Sequence, residues 1–344
     1  MKKHVFLLAM AVVAATALFS CSRDDDEEKT NWRQGGTSVS TDPQGGSGSG
    51  GSTPGGTSGG DPGTGTGTGG TVGEAIEGCL VNGKFSVARD RQVWFSKGNL
   101  QYQASTNTWR FAEKQYNIVG TDNDNVSSTY DGWIDLFGWG TSGWYSGANC
   151  YRPYDVSTDF TDFYVGGTAY FGLYGEYAHA DWGVHNAISN GGNQAGLWRT
   201  LTKDEWSYVI YGRLSSTVNG VANAHFAKAV VCDVPGMILF PDVYSHPANV
   251  PQPECVNGVS NGYTVNLYNA EQWADMEKCG CVFLPAAGAH SGTMTHEVGV
   301  YGFYYSVTPF CDNGAVTFMF DHQWVSVANL YGRNEGRSVR LVRD

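Results

Sequence analysis

The side chains best equipped to hold a ligand gather in the C-terminal stretch: Tyr305, Phe310, Asp312, Asn313, His322, Trp324, Asn329, Tyr331, Arg333 and Asn334. They mix rings, amides and charges. A ring can stack on the flat face of a ligand while amides and charges hydrogen-bond its edge. That is recognition chemistry. Bond-making chemistry is harder to find. A helical zinc protease needs His-Glu-x-x-His on one helix turn. His290 and His296-Glu297 sit instead in the Gly- and Thr-bearing stretch 289–299, with the wrong spacing, and read as exposed loop residues. Cys279-Gly280-Cys281 reads as part of a strand, its thiols two buried small hydrophobes on one face. Zinc would want further His or Cys partners. Asp181, Asp204, Glu205, Asp242 and Glu271 could serve a glycosidase pair, but nothing in their spacing joins any two. Asp204 and Glu205 suit the start of a helix.

Asp122-Asn123-Asp124-Asn125 is rich in the oxygen ligands that calcium takes. The same residues favour turns, and the two readings stay open. No Gly-x-Ser-x-Gly elbow and no phosphate loop occurs, so no cofactor and no metal is assigned. The chain carries 33 Asp plus Glu against 21 Lys plus Arg, a net charge of −12. No basic patch is dense enough for nucleic acid, which excludes that partner. Besides Cys21 there are seven cysteines, an odd number, so at least one stays out of any intrachain disulfide.

These residues need a scaffold, and the sequence predicts many short strands with Gly-rich turns and two helices. Phe85–Ala88 with Gln92–Ser96, and Leu100–Gln103 with Thr108–Phe111, read as hairpins. The stretch from Asp131 to Trp144 reads as an aromatic-packed loop. Thr202-Lys203-Asp204-Glu205 fits a capping box, with Trp206, Val209, Ile210 and Leu214 on one face of the helix that follows. A second helix starts near Asn269 and ends at Gly280. Four apolar strands then follow over 282–286, 303–307, 315–320 and 338–342, with polar, aromatic loops between them. The fold class is α+β, mostly antiparallel twisted strands with two main helices.

The N-terminus has a different character. Lys2-Lys3 precede an apolar run from Val5 to Ala15, about the length of a signal-peptide core and short for a bilayer span. Leu18-Phe19-Ser20-Cys21 resembles the lipobox of bacterial lipoproteins, whose cysteine is acylated after cleavage. Each buried acyl methylene adds about 0.8 kcal/mol of membrane affinity. Asp24-Asp25-Asp26-Glu27-Glu28 resembles the acidic export tag of Bacteroidetes-type surface lipoproteins. Residues 35–73 are almost wholly Gly, Ser and Thr with a few Pro and Asp, which cannot offset the entropy of ordering. The organisation expected is a signal segment over 1–20, lipidated Cys21 with tag and disordered Gly/Ser/Thr stalk over 21–78, and one globular domain over 79–344. The stalk would reach roughly 35 Å from an outer membrane and hold the domain outside the cell.

A family resemblance covers about Gly196 to Asp344. Leu197-Trp198-Arg199-Thr200-Leu201-Thr202-Lys203-Asp204-Glu205-Trp206, Val282-Phe283-Leu284-Pro285-Ala286-Ala287-Gly288, Gly302-Phe303-Tyr304-Tyr305-Ser306-Val307-Thr308 and Gly336-Arg337-Ser338-Val339-Arg340-Leu341-Val342 are similar, in order, to segments of the Fibrobacter succinogenes major paralogous (FISUMP) domain. That resemblance implies a C-type-lectin-like, formylglycine-generating-enzyme-like fold. Tyr305 and Val307 depart from the family's Trp and Ser. The enzymes of that fold use paired cysteines near the C-terminus, and only Cys311 lies in the last strands here. The function expected is non-catalytic binding of a protein or glycan through the C-terminal loops. The alternatives are a subunit of a surface assembly and a polysaccharide-acting enzyme.

Overall fold

The computed structural model describes residues 76–259 and 262–344. The signal segment, Cys21, the acidic run and the stalk up to residue 75 lie outside the described residues. No helix among the described residues is long and apolar enough to cross a membrane.

In chain order the strands are β1 (Cys79–Ala88), β2 (Arg91–Ser96), β3 (Leu100–Gln103), β4 (Thr108–Phe111), β5 (Phe226–Val231), β6 (Val234–Leu239), β7 (Leu267–Tyr268) and β8 (Val282–Pro285). They continue as β9 (Ala289–Ser291), β10 (Met294–His296), β11 (Gly302–Phe310), β12 (Gly314–Phe320), β13 (Val325–Gly332), β14 (Glu335–Gly336) and β15 (Val342–Arg343). The α-helices are α1 (Trp182–His185), α2 (Lys203–Ser207) and α3 (Ala270–Lys278). The strands form five small sheets, ordered β1-β2-β15, β3-β4, β7-β5-β6-β8, β10-β9-β14 and β11-β12-β13. Pairing is antiparallel except between β5 and β7. The fold is α+β.

The hairpins follow from alternation. In β2, Val93 and Phe95 are buried while Gln92 and Trp94, on the other face, are exposed and half-buried, because successive strand residues face opposite sides. Val342 of β15 pairs with Phe95, so the end of the chain zips onto its first hairpin. Around that seam Phe85, Phe95, Trp206, Tyr304, Phe318 and Phe320 share one core. Trp206 stacks on Phe318 with ring centroids 4.8 Å apart. A second core, built on Trp109, Trp139, Trp182, Trp198 and Tyr305, packs the strand-poor stretch between β4 and β5.

Helices α2 and α3 begin where the caps predict, while the short α1 was not anticipated. The Thr202 side chain accepts from the Glu205 N–H, and Glu205 accepts in return from the Thr202 N–H. Asn269 and Gln272 do the same for α3. After Ser207, α2 widens into a π-turn over Tyr208–Gly212. Leu214, expected on its buried face, is 78% exposed. The reason is Arg213. Its guanidinium is drawn into the core by Asp242 at 2.9 Å and by the carbonyls of Val209 and Phe240 at 2.8 and 2.6 Å. The helix stops there and Leu214 swings outward.

Other expectations are corrected as well. Cys279 caps α3 and Cys281 is buried just before β8, so the Cys-Gly-Cys segment is a helix end and not a strand. Residues 338–342 are largely irregular, and pairing resumes at Val342. The stretch 289–299 is not a loop but carries the β9–β10 hairpin. Within it His290 is buried, Nε2 lying 3.0 Å from the Leu136 carbonyl. Val325–Gly332, expected as loop, is strand β13.

Candidate functional site

The β11-β12-β13 sheet carries most of the ligand-binding candidates but divides them. Its two turns lie at opposite ends of β12, since Phe310 pairs with Gly314 while Phe320 pairs with Val325. A strand of this length separates its ends by about 20 Å. His322 and Trp324 therefore belong to one end, and Phe310, Asp312 and Asn313 to the other.

From the His322 and Trp324 end an open groove of about 450 Å³ runs along the sheet as far as Tyr331, which pairs with Ala315 of β12. Its aromatic wall is Tyr301, Phe303 and Tyr331. Tyr301 stacks on Phe303 at 5.4 Å, and Phe303 meets the edge of Tyr331 at 5.1 Å. The Arg337 guanidinium lies 4.2 Å from the Phe303 ring and 4.0 Å from the Tyr331 ring, and is ion-paired with Glu335. Arg337 is fully buried, so it braces the wall from behind. Trp324 stands at the rim, 64% exposed. Its position is set by the turn before β13: Asp321 Oδ1 accepts the backbone N–H groups of Gln323 and Trp324, each at 2.6 Å. A short acid at the start of a turn does this routinely.

The polar members are Glu297, Asp321, Glu335, His296, His322 and Gln323. Arg337 balances Glu335, which leaves Glu297 and Asp321 as the groove's excess charge. Burial raises the Tyr301 phenol, and the nearby carboxylates of Asp321 and Glu297 add to it. Burial raises Tyr331 too. Both hydroxyls therefore stay protonated and available as donors at neutral pH. The groove thus offers an exposed indole, two phenol donors and several carboxylate and amide acceptors around a shallow cleft.

Two predicted binding residues are structural. Tyr305 is fully buried, its ring stacked on Trp182 at 6.1 Å and its hydroxyl donating to the Glu335 carbonyl at 2.6 Å. Arg333 is also fully buried, 4.5 Å over the Trp139 ring. It donates Nε to the Gly314 carbonyl at 2.9 Å and Nη2 to the Ala169 carbonyl. Asn334 donates to the Thr158 carbonyl at 3.3 Å. Asn329 is half-buried on β13, and its Nδ2 meets no acceptor among the described residues. Of the candidates, the groove unites His322, Trp324 and Tyr331.

Glu297, Tyr301, Phe303, Asp321, Glu335 and Arg337 escaped the sequence reading of the site. Alternation of Tyr301 and Phe303 about Gly302 is the one local signal that could have found part of the wall. The rest come from three separate segments. The acids considered for hydrolysis are employed elsewhere. Asp181 accepts the Thr200 N–H and hydroxyl at 2.7 and 2.9 Å. Asp242 holds Arg213 and Ser86. Asp204 and Glu205 open α2, and Glu271 lies in the first turn of α3. None of the five lines the groove. In the Asp122–Asn125 cluster, buried Asn123 donates to Asp135 at 2.9 Å, and Asp124 accepts the Thr295 N–H at 2.7 Å. These contacts tie the cluster to the Asp135 stretch and to β10. Against known proteins, no family model matches the chain, and neither a curated protein nor a solved structure matches it.

Proposed function

We propose that the chain is an outer-membrane lipoprotein, anchored through Cys21 and facing the cell exterior, whose C-type-lectin-like, FISUMP-type domain binds a glycan without transforming it. The observation that carries this reading is Trp324, exposed at the rim of a groove with phenol donors and carboxylate acceptors. A pyranose has one face of C–H groups that packs on an aromatic ring and an edge of hydroxyls that both donate and accept. The groove offers a partner for each. The stalk would let the domain search the space above the membrane. The test is a glycan array probed with the full-length protein beside Trp324→Ala. Saturable binding that the variant loses supports the reading. Absence of binding to every glycan ends it.

A second reading, a subunit of a surface assembly, is favoured by β13. That strand pairs with β12 alone, and among the described residues no backbone–backbone hydrogen bond joins it to anything else, although the Tyr211 hydroxyl donates to the Val325 carbonyl at 3.0 Å. Its sequence, Val325-Ser326-Val327-Ala328-Asn329-Leu330-Tyr331-Gly332, holds no charge and no proline, the usual devices that protect an edge. Sedimentation across a concentration series decides it. Assembly that Leu330→Lys abolishes favours the subunit; a monomer at all concentrations removes it.

A further inference from the structure

The other end of the β11-β12-β13 sheet is built differently. Between Gly143 and Ala178 the chain has seven tyrosines among glycines, serines and short polar residues. It contains no strand, yet it is tied down throughout. Gly166 N–H donates to the Ser146 carbonyl at 2.7 Å, Cys150 N–H to the Asp162 carbonyl at 2.8 Å, and Leu173 N–H to the Val307 carbonyl of β11 at 3.0 Å. The buried Arg333 holds the Ala169 carbonyl from below. Rings pack in series beneath: Phe171 on Tyr177 at 4.7 Å, then Tyr177 near Trp144 at 6.5 Å.

On this fixed base Tyr145 and Tyr170 are 66% and 68% exposed, and Phe171 and Tyr174 are exposed beside them. The β11–β12 turn adjoins them, since Arg333 donates its backbone N–H to the Asn313 carbonyl at 3.3 Å and its guanidinium to the Ala169 carbonyl. Phe310, on the same turn, is exposed too. A large ring with two side-chain torsions gives up little entropy on contact, and a braced backbone gives up little more. That pairing of tyrosines with small residues is how recognition loops gain area cheaply. The charge is one-sided. From Gly143 to Ala178 the acids Asp155, Asp159, Asp162 and Glu176 face a single Arg152, and Asp312 adds to them.

We propose that Tyr145, Tyr170, Phe171, Tyr174, Phe310 and Asp312 form a protein-docking surface, separate from the groove, for a partner presenting a lysine- and arginine-bearing face. Such cations gain from tyrosine rings as well as from the carboxylates. The acidic field steers their approach and rejects acidic partners.

The test pans a random dodecapeptide phage library on the full-length protein. Enriched peptides are then measured as synthetic peptides against wild type, against the triple variant Tyr145→Ser, Tyr170→Ser, Tyr174→Ser, and against Trp324→Ala. All four replaced side chains are exposed, and equal melting temperatures verify that the variants fold. The result expected is enrichment of Lys- and Arg-bearing peptides that bind the triple variant at least tenfold more weakly, bind Trp324→Ala unchanged, and weaken with salt. No enrichment, enrichment of peptides without basic residues, or equal binding to the triple variant overturns the proposal. So does a glycan whose binding the triple variant loses, which would make the surface a sugar platform.

Discussion

Arg333 has the side chain of a ligand contact and the position of a clamp. It lies over the Trp139 ring, joins the end of β13 to Ala169, and has no exposed surface. Arg333→Ala leaves the buried carbonyls of Gly314 and Ala169 without their donor, each worth about 1–3 kcal/mol. A loss of about 3 kcal/mol in unfolding free energy is expected by urea denaturation, with no change in groove binding. Asp135 tests the opposite case, a buried acid. Burial pushes its carboxyl up to about 6, against the pull of the Asn123 amide and the Val119 N–H, each at 2.9 Å. The folded state therefore holds this proton more tightly than the unfolded chain, whose carboxyl sits near about 3.9. The group's stabilising contribution is complete below about pH 4 and is lost as the pH rises through about 6. Asp135→Asn removes that titration. The wild-type advantage over the variant should shrink between about pH 4 and pH 7 in parallel denaturation curves. A flat or growing advantage would show that the carboxylate is already ionised in the fold.

At the scale of elements, the starts of α2 and α3 were legible because a capping box is written in four adjacent residues, whereas α1, a single turn, carried no such signal. Asn269→Ala should cost about 1 kcal/mol, the usual worth of such a cap. Glu205→Ala should cost more. Glu205 takes the Thr202 N–H at 2.8 Å and also pairs with Arg199 at 2.9 Å and with Arg91. Thermal melts of the two variants give the order directly. Strands β3 and β4 were legible residue for residue, since their alternation is local. The β5–β6 hairpin was not. Its turn residues Cys232 and Asp233 both take positive φ, at 48° and 65°. Such a turn usually advertises itself with Asn-Gly, and here it does not. Pro235 and Gly236 in β6 add two residues that normally argue against a strand. β13 read as loop because Ser326 and Asn329 interrupt its apolar residues.

For the whole molecule, exposure separates residues of equal chemical promise. Tyr305→Ala should lose about 3–5 kcal/mol, the range for truncating a large buried ring. Trp324→Ala should stay within about 0.5 kcal/mol of wild type. One denaturation experiment on both variants tests the division between core and site, independently of any ligand. The same division explains the Tyr-rich segment. Tyr145, Tyr170 and Tyr174 lie outward on a backbone held from beneath by β11 and Arg333, while Trp144, Tyr154 and Tyr177 pack inward.

By itself the sequence determined the fold class, the starts of α2 and α3, the early hairpins and an aromatic, amide-rich C-terminal region, all matters of local pattern. Only the tertiary structure decided which of those aromatics meet solvent, because burial depends on distant partners. Tyr305 is covered by Trp182, and Arg333 reaches a carbonyl 164 residues away. The groove exists because β10, β11 and the ends of β13 converge there, bringing Glu297, Tyr301 and Arg337 beside Trp324. Spacing along the chain carries no record of that convergence.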